Sequence, residues 1–216
     1  MVEHSVNIIK RLEKEKIIVI IRGINQKDSI PIAEALVEGG IRFIEVTMNT
    51  KGALEIIKEW RDHFKHDDVF IGAGTVLNIE MASSAIDAGA QYIVTPNLDE
   101  EVVELACREG IEIFPGVMTP TEIMKAIKAG AKAVKLFPMG ELGLNYLKEI
   151  KAPLSDVKMI ATGGVDVGNI QDYLKNGVIA VGIGSNIINK DMIEKKNFKG
   201  LTDLAKRFIN LSNRIE

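Results

Sequence analysis

Residues 126–137, AIKAGAKAVKLF, join two patterns across one glycine. Before Gly130 the apolar positions recur at helical spacing. After it, Ala133, Val134, Leu136 and Phe137 make a short apolar run of the kind that forms a buried strand. The same junction recurs in LVEGGIRFIEVT (36–47), AIDAGAQYIVTP (85–96), ACREGIEIFPG (106–116) and YLKNGVIAVGIG (173–184). Gly39, Gly89, Gly110, Gly130 and Gly177 are therefore expected to be the left-handed stops of five helices, each followed at once by a strand.

Working outward, the strand-like runs are IIVIIRG (17–23), IRFIEVTM (41–48), VFIGAGTV (69–76), QYIVTPN (91–97), IEIFPGVM (111–118), AVKLFP (133–138), VKMIATGGV (157–165) and VIAVGIGS (178–185). Amphipathic stretches such as QKDSIPIAEALVEG (26–39) and TPTEIMKAIKAG (119–130) lie between them. Strict alternation predicts parallel strands with right-handed crossovers, and eight such units predict an α/β fold, a closed (β/α)8 TIM barrel. No linker or low-complexity tract interrupts the chain, so residues 1–216 are expected to be one domain. VNIIKRLEKE (6–15), with Val6, Ile9 and Leu12 at helical spacing, is expected to be an additional N-terminal helix across the barrel bottom. FKGLTDLAKRFINLSNRI (198–215) is expected to be the eighth helix. The rival, a doubly wound dinucleotide-binding sheet, wants G-x-G-x-x-G after the first strand, where this chain reads IIRGINQKDS.

Composition narrows the function. With 46% hydrophobic and 26% charged residues, the chain has aliphatic material for a core and excludes disordered or collagen-like classes. A net charge of −3 with both signs scattered gives no basic stripe, so neither nucleic acid nor an anionic membrane is an expected partner. Cys107 is the single cysteine, which rules out an internal disulfide framework and suits a reducing cytoplasm. No secretory leader or membrane-length apolar run is expected in the N-terminal MVEHSVNIIKRLEKEK or elsewhere.

In a barrel of this kind chemistry sits at the C-terminal ends of the strands, and side chains alternate between interior and helix layer. Ile44, Val46 and Met48 share one face, so Phe43, Glu45 and Thr47 share the other. Val134 and Leu136 likewise leave Ala133, Lys135 and Phe137 opposite. If the β-branched faces meet the helices, Glu45 and Lys135 both point inward. One reading is a structural ion pair, although desolvation offsets much of its attraction. The other is chemical: an apolar pocket disfavours the charged ammonium and frees a nucleophilic amine, with Glu45 as a proton carrier beside it. Thr162, Gly163 and Gly164 end one strand, and Gly184 and Ser185 end the next, where such barrels bind phosphate. Tight turns are the alternative reading of those glycines. Thr75, after GAGTV, is available for a substrate oxygen. His4, His63 and His66 fall away from the strand ends, so no metal site is expected, and an iminium is a metal-free electron sink.

Taken together, EVT (45–47), GAGTV (72–76), TPN (95–97), PGVMTPTE (115–122), KLFP (135–138), TGGV (162–165) and GIGS (182–185) resemble, in order and over nearly the whole chain, the class I 2-keto-3-deoxy-6-phosphogluconate (KDPG) aldolases, including members that also cleave 4-hydroxy-2-oxoglutarate (KHG). The resemblance implies that Lys135 forms a Schiff base and Glu45 transfers protons, with no cofactor. It implies that Thr75, Pro96 and Phe137 shape a pyruvate pocket and that Gly163, Gly164, Gly184 and Ser185 hold a phosphate. Thr47 and Thr162 complete the candidate substrate-binding set. Several family members carry arginine in a pattern E-V-T-x-R-T, where this chain has Asn49; Arg22, in IIRG, is the alternative cationic contact for the substrate carboxylate. The implied partner is a phosphorylated 2-keto acid, and the implied assembly a homotrimer. Phosphogalactonate aldolases, a barrel isomerase or synthase, and a non-catalytic phosphometabolite-binding barrel are the alternatives.

Overall fold

The computed structural model describes residues 7–214. His4 and Val6 lie outside the described residues. A first helix, α1 (Ile8–Glu15), leads into β1 (Ile17–Ile21), and thereafter strands and helices alternate. A single 3-10 turn, Gln26–Asp28, and α2 (Ser29–Glu38) precede β2 (Phe43–Thr47); α3 (Ala53–His63) precedes β3 (Phe70–Gly74). Then follow α4 (Ile79–Asp87), β4 (Tyr92–Val94), α5 (Glu100–Arg108), β5 (Glu112–Phe114), β6 (Gly116–Val117), α6 (Pro120–Lys128) and β7 (Val134–Leu136). The last part holds α7 (Met139–Lys151), β8 (Met159–Thr162), α8 (Ile170–Lys175), β9 (Ala180–Ile183), α9 (Lys190–Glu194) and α10 (Phe198–Asn213).

Every strand pair is parallel, and the sheet order β5-β4-β3-β2-β1-β9-β8-β7-β6 brings the sheet round until its two edges are β5 and β6. Only Pro115 separates them. The run expected as one fifth strand is thus two short ones, because proline has no N–H to give a ladder. Its first half pairs with β4 and its second with β7, which leaves a nine-strand, nearly closed barrel among the described residues.

Alternation sorts the strand residues into two buried clusters. Ile17, Val19, Ile21, Ile44, Val46, Ile71, Ile93, Val134 and Leu136 pack outward against the helices. Ile18, Phe43, Phe70, Tyr92, Val94, Phe114, Ala133 and Ile160 pack inward, with Ile8, Ile9 and Leu12 of α1 in the same cluster. Aromatic rings fill much of this interior: Phe43 stacks on Phe70 at 4.6 Å between centroids, and Tyr92 lies 5.6 Å from Phe43 and 5.8 Å from Phe114. Helix ends are specified locally, as at α6, where Thr119 and Glu122 form a reciprocal capping box ahead of Pro120.

Of the five expected left-handed stops, Gly89, Gly110, Gly130 and Gly177 have positive φ, from 71° to 113°. Gly39 does not. Its φ is −72°, and the left-handed residue is Gly40, at 99°. Gly39 is required for another reason: a Cβ there would collide with the Ala205 methyl of α10, where α10 closes against α2 beside the Thr202 hydroxyl donating to the Ala35 carbonyl at 3.0 Å. The short α9 was not expected as an element; α10 matches the expected last helix, and Ile215 lies outside the described residues.

Gly72 of β3 faces inward beneath the Tyr92 ring, with which an added Cβ would collide. The Gly72→Ala variant is expected to lose about 1–3 kcal/mol of stability through overpacking. Urea denaturation would read this as a lower midpoint with an unchanged slope; an unchanged midpoint contradicts it.

Candidate active site

Glu45 and Lys135 both face the barrel interior, Glu45 at 1% exposure and Lys135 at 7%. Each belongs to a strand whose β-branched residues are drawn to the helix layer, so the intervening polar positions are turned inward. No ion pair joins them among the described residues, and Glu45 Oε2 is buried without a hydrogen-bond partner. Instead they line a small cavity of about 10 Å³, together with Thr162 and apolar residues including Val94, Phe114 and Ile160. Gly74 and Gly182 make this possible. A Cβ on Gly74 would collide with the Glu45 carboxylate, and one on Gly182 would crowd the Thr162 side chain.

Burial sets the electrostatics. Desolvation pushes the Glu45 carboxyl up to about 7, against the opposing attraction of Lys135 and Arg22. Desolvation also lowers the proton affinity of the Lys135 amine, opposed by Glu45 and reinforced by Arg22. The Lys135 ammonium nitrogen sits 4.8 Å from the centroid of the Phe137 ring, a face that stabilises a cation. A lysine so held gives up its proton more readily than a free one and so yields a nucleophilic amine, with a carboxyl of raised proton affinity in the same chamber.

Above the chamber two open cavities flank the strand ends. One, of about 700 Å³, is lined by Arg22, Gly184, Ser185 and Lys190. The other, of about 520 Å³, is lined by Pro96, Gly116, Met118 and Phe137. Arg22 is held by two bonds, its Nη1 donating to Asn49 Oδ1 at 3.0 Å and its Nη2 to Thr75 Oγ1 at 3.1 Å. Asn49 thus orients a guanidinium supplied by the first strand. Thr75 has φ 56°, an uncommon left-handed backbone for a β-branched residue, of the kind that collects at functional sites. Thr47 is fully buried; its hydroxyl pairs with that of Thr50 at 3.0 Å, and Thr50 accepts the Gly23 N–H at 3.0 Å. Thr47 therefore lies one step behind the Arg22 loop.

The loops after β8 and β9 are tied together by Asn186, whose side-chain amide donates to the Val165 carbonyl at 2.8 Å. Gly163 and Gly164, with φ 87° and 75°, fold back on Phe137 and Gly140, and a Cβ on Gly164 would collide with Gly140. The following helices begin only at Ile170 and Lys190, beyond the loops. Sequence reasoning missed Lys190, Gly116, Gly140 and Thr50. Lys190 stands on a five-residue helix, too short to leave a periodic trace. Gly116 had a signal, the Pro-Gly pair that splits the strand. Among the described residues no cluster of three or more His, Cys, Asp or Glu is arranged to hold a metal, and no helix is long and apolar enough to cross a membrane.

Comparison with known proteins agrees with this geometry. Residues 8–204 match the family model described as "KDPG and KHG aldolase". The chain is 33% identical over 207 residues to a 2-dehydro-3-deoxy-phosphogluconate aldolase of Treponema pallidum (strain Nichols), covering 95% of this chain and 98% of that one. It is 35% identical over 175 residues to the 2-dehydro-3-deoxy-6-phosphogalactonate aldolase of Escherichia coli (strain K12), covering 81% and 85%. In structure it is similar to KDPG aldolase from Legionella pneumophila with pyruvate captured at low pH as a covalent carbinolamine intermediate, at a TM-score of 0.83 and 31% identity over 89% of this chain and 93% of that one. With the family model spanning most of its length and the inward lysine and carboxylate in place, the chain belongs to the KDPG and KHG aldolase family.

Proposed function

We propose that this protein is a class I Schiff-base aldolase, a carbon–carbon lyase that cleaves KDPG to pyruvate and glyceraldehyde 3-phosphate and KHG to pyruvate and glyoxylate. The observation that carries the reading is the buried, unpaired Lys135 beside a carboxyl whose proton affinity burial has raised to about 7. The Lys135 amine adds to the 2-keto carbon, and loss of water leaves a protonated imine. Glu45, as carboxylate, takes the 4-hydroxyl proton; the C3–C4 bond breaks, its electron pair enters the iminium, and the aldehyde departs. Protonation of the resulting enamine at C3, followed by hydrolysis, releases pyruvate and restores the amine.

Arg22, oriented by Asn49 and Thr75, receives the substrate carboxylate, and Pro96, Phe137 and Thr162 bound the pyruvyl group. The phosphate lies against Gly163, Gly164, Gly184 and Ser185, a reading supported by the cavity that Gly184 and Ser185 share with Arg22 and Lys190. Binding energy collected there positions the reacting carbons. The nine strands read as an eight-stranded (β/α)8 TIM barrel interrupted at Pro115, one domain over residues 1–216, with α1 as an additional helix beneath it. A homotrimer in the cytoplasm completes the proposal.

Incubation with pyruvate and sodium borohydride, followed by peptide mapping, is expected to leave one reduced pyruvyl adduct on Lys135 and none on the Lys135→Ala variant. Absence of the adduct from folded protein returns Lys135 to a structural or binding role. A substrate panel holding both the gluconate and galactonate epimers then assigns the sugar. Arg22→Ala is expected to raise KM for the keto acid about tenfold or more, the worth of one or two charge-assisted hydrogen bonds, with the trapped adduct retained at saturating pyruvate. An unchanged KM moves the carboxylate elsewhere. For Glu45, folded-state proton affinity exceeds the ordinary value of 4.5, so its contribution to stability is full below pH 4.5 and is lost as pH rises through about 7. Glu45→Gln, which does not titrate, is therefore expected to gain thermal stability relative to the parent across that window while losing turnover. A stability difference independent of pH contradicts it.

A further inference from the structure

The structure assigns Tyr92 a part in the reaction: we propose that its hydroxyl hydrogen-bonds the Glu45 carboxylate across Gly72, directly or through one water, as a positioning residue for the proton carrier. This rests on the role given to Glu45 above. Tyr92, Gly72 and Glu45 are successive register partners across β4, β3 and β2, all on the inner face of the barrel. With no side chain on Gly72, the Tyr92 ring lies over β3 with its hydroxyl end foremost; the ring carbon that bears the hydroxyl is among the atoms an added Cβ would strike. The same ring stands 5.6 Å from Phe43, which lies on β2 two residues before Glu45. The phenol therefore crosses β3 and carries its O–H to the Glu45 side of the chamber.

Both polar ends are orphans. Tyr92 is fully buried and its hydroxyl has no partner, and Glu45 Oε2 is buried without one. Their neighbours Phe43, Phe70, Val94 and Phe114 offer no hydrogen-bonding group from their side chains. Two unsatisfied buried polar atoms on inner-face positions in register across Gly72 satisfy each other most simply by a rotation of the Glu45 side chain. The small cavity of about 10 Å³ that Glu45 lines with Val94 and Phe114 has room for about one water at the carboxyl. Among the described residues the charged or titratable groups facing Glu45 are Lys135 of β7, Arg22 beyond β1 and Tyr92, while Tyr92 faces Glu45.

A phenol that donates to a carboxylate favours its charged form. It also fixes one oxygen and leaves the other free to meet the substrate hydroxyl. Tyr92→Phe keeps the ring and removes only the donor. The acidic limb of the kcat/KM profile is expected to move up by about half a pH unit or more, and an NMR titration of the Glu45 carboxyl carbon to move with it, while the pyruvate adduct still forms on Lys135. In the parent protein the resonance of the Tyr92 ring carbon bearing the hydroxyl is expected to follow the Glu45 titration, and in Glu45→Gln to lose that dependence; this reading needs no folded Tyr92 variant. An unmoved profile and titration, with thermal stability equal or raised as removal of an unpaired hydroxyl would give, overturn the pairing. A titration that moves in a protein without aldolase turnover upholds the pairing and overturns the catalytic reading of Glu45 instead.

Discussion

Burial of an ammonium and a carboxyl in one apolar interior, with no ion pair between them, is the constraint around which the rest of this structure is arranged. Taking either charge out of water is unfavourable, and a close ion pair would be the simplest compensation. Here the two are held apart, and each shifts its proton affinity toward neutrality instead. Glycines at Gly72, Gly74 and Gly182 leave the space that these polar groups occupy. The aromatic rings beneath them supply the apolar burial that offsets the unfavourable desolvation above. The backbone strain marked by the positive φ of Thr75 lies at the strand ends and not in this packed floor.

The strand ends then add specificity without altering that chamber. Arg22 is fixed by side chains from two other strand ends, so its charge is presented in one direction. Asn186 links the last two loops through an amide-to-carbonyl bond, so the loop that carries Gly163 and Gly164 is tied to the one that carries Ser185. Thr50 and Thr47 hold the Arg22 loop from behind. Each device spends one short polar side chain on positioning a neighbour.

Much of this was legible in the sequence. The inward orientation of Glu45 and Lys135 followed from the parity of Ile44, Val46, Val134 and Leu136, because helix-facing aliphatic residues leave little freedom to the positions between them. Four of the five helix-stop glycines followed from their place between helix and strand. The fifth failed where two glycines stand together: local pattern cannot tell which takes the left-handed conformation when the other is demanded by a distant contact, here Ala205. The break at Pro115 was visible as a proline inside an apolar run, yet the run's length and its place in the alternation concealed that its halves have different partners. Tyr92 reads in sequence as one more aromatic core residue; only its register with Gly72 and Glu45 gives it a polar role. Lys190 depends on a turn too short for periodicity to report.

The interrupted strand has a mechanical consequence. Around the rest of the barrel each strand is held by ladders on both sides, but at Pro115 the two edge strands are joined by the backbone itself and by the Gly116 N–H donating to Thr95 Oγ1 at 3.2 Å. The N–H of Lys135 donates to the carbonyl of that same proline, at 2.9 Å. The seam of the barrel and one anchor of its central lysine thus share a single peptide group. The seam therefore bears on the lysine backbone through one hydrogen bond, whereas Glu45, on β2, is linked to it only through the intervening strands.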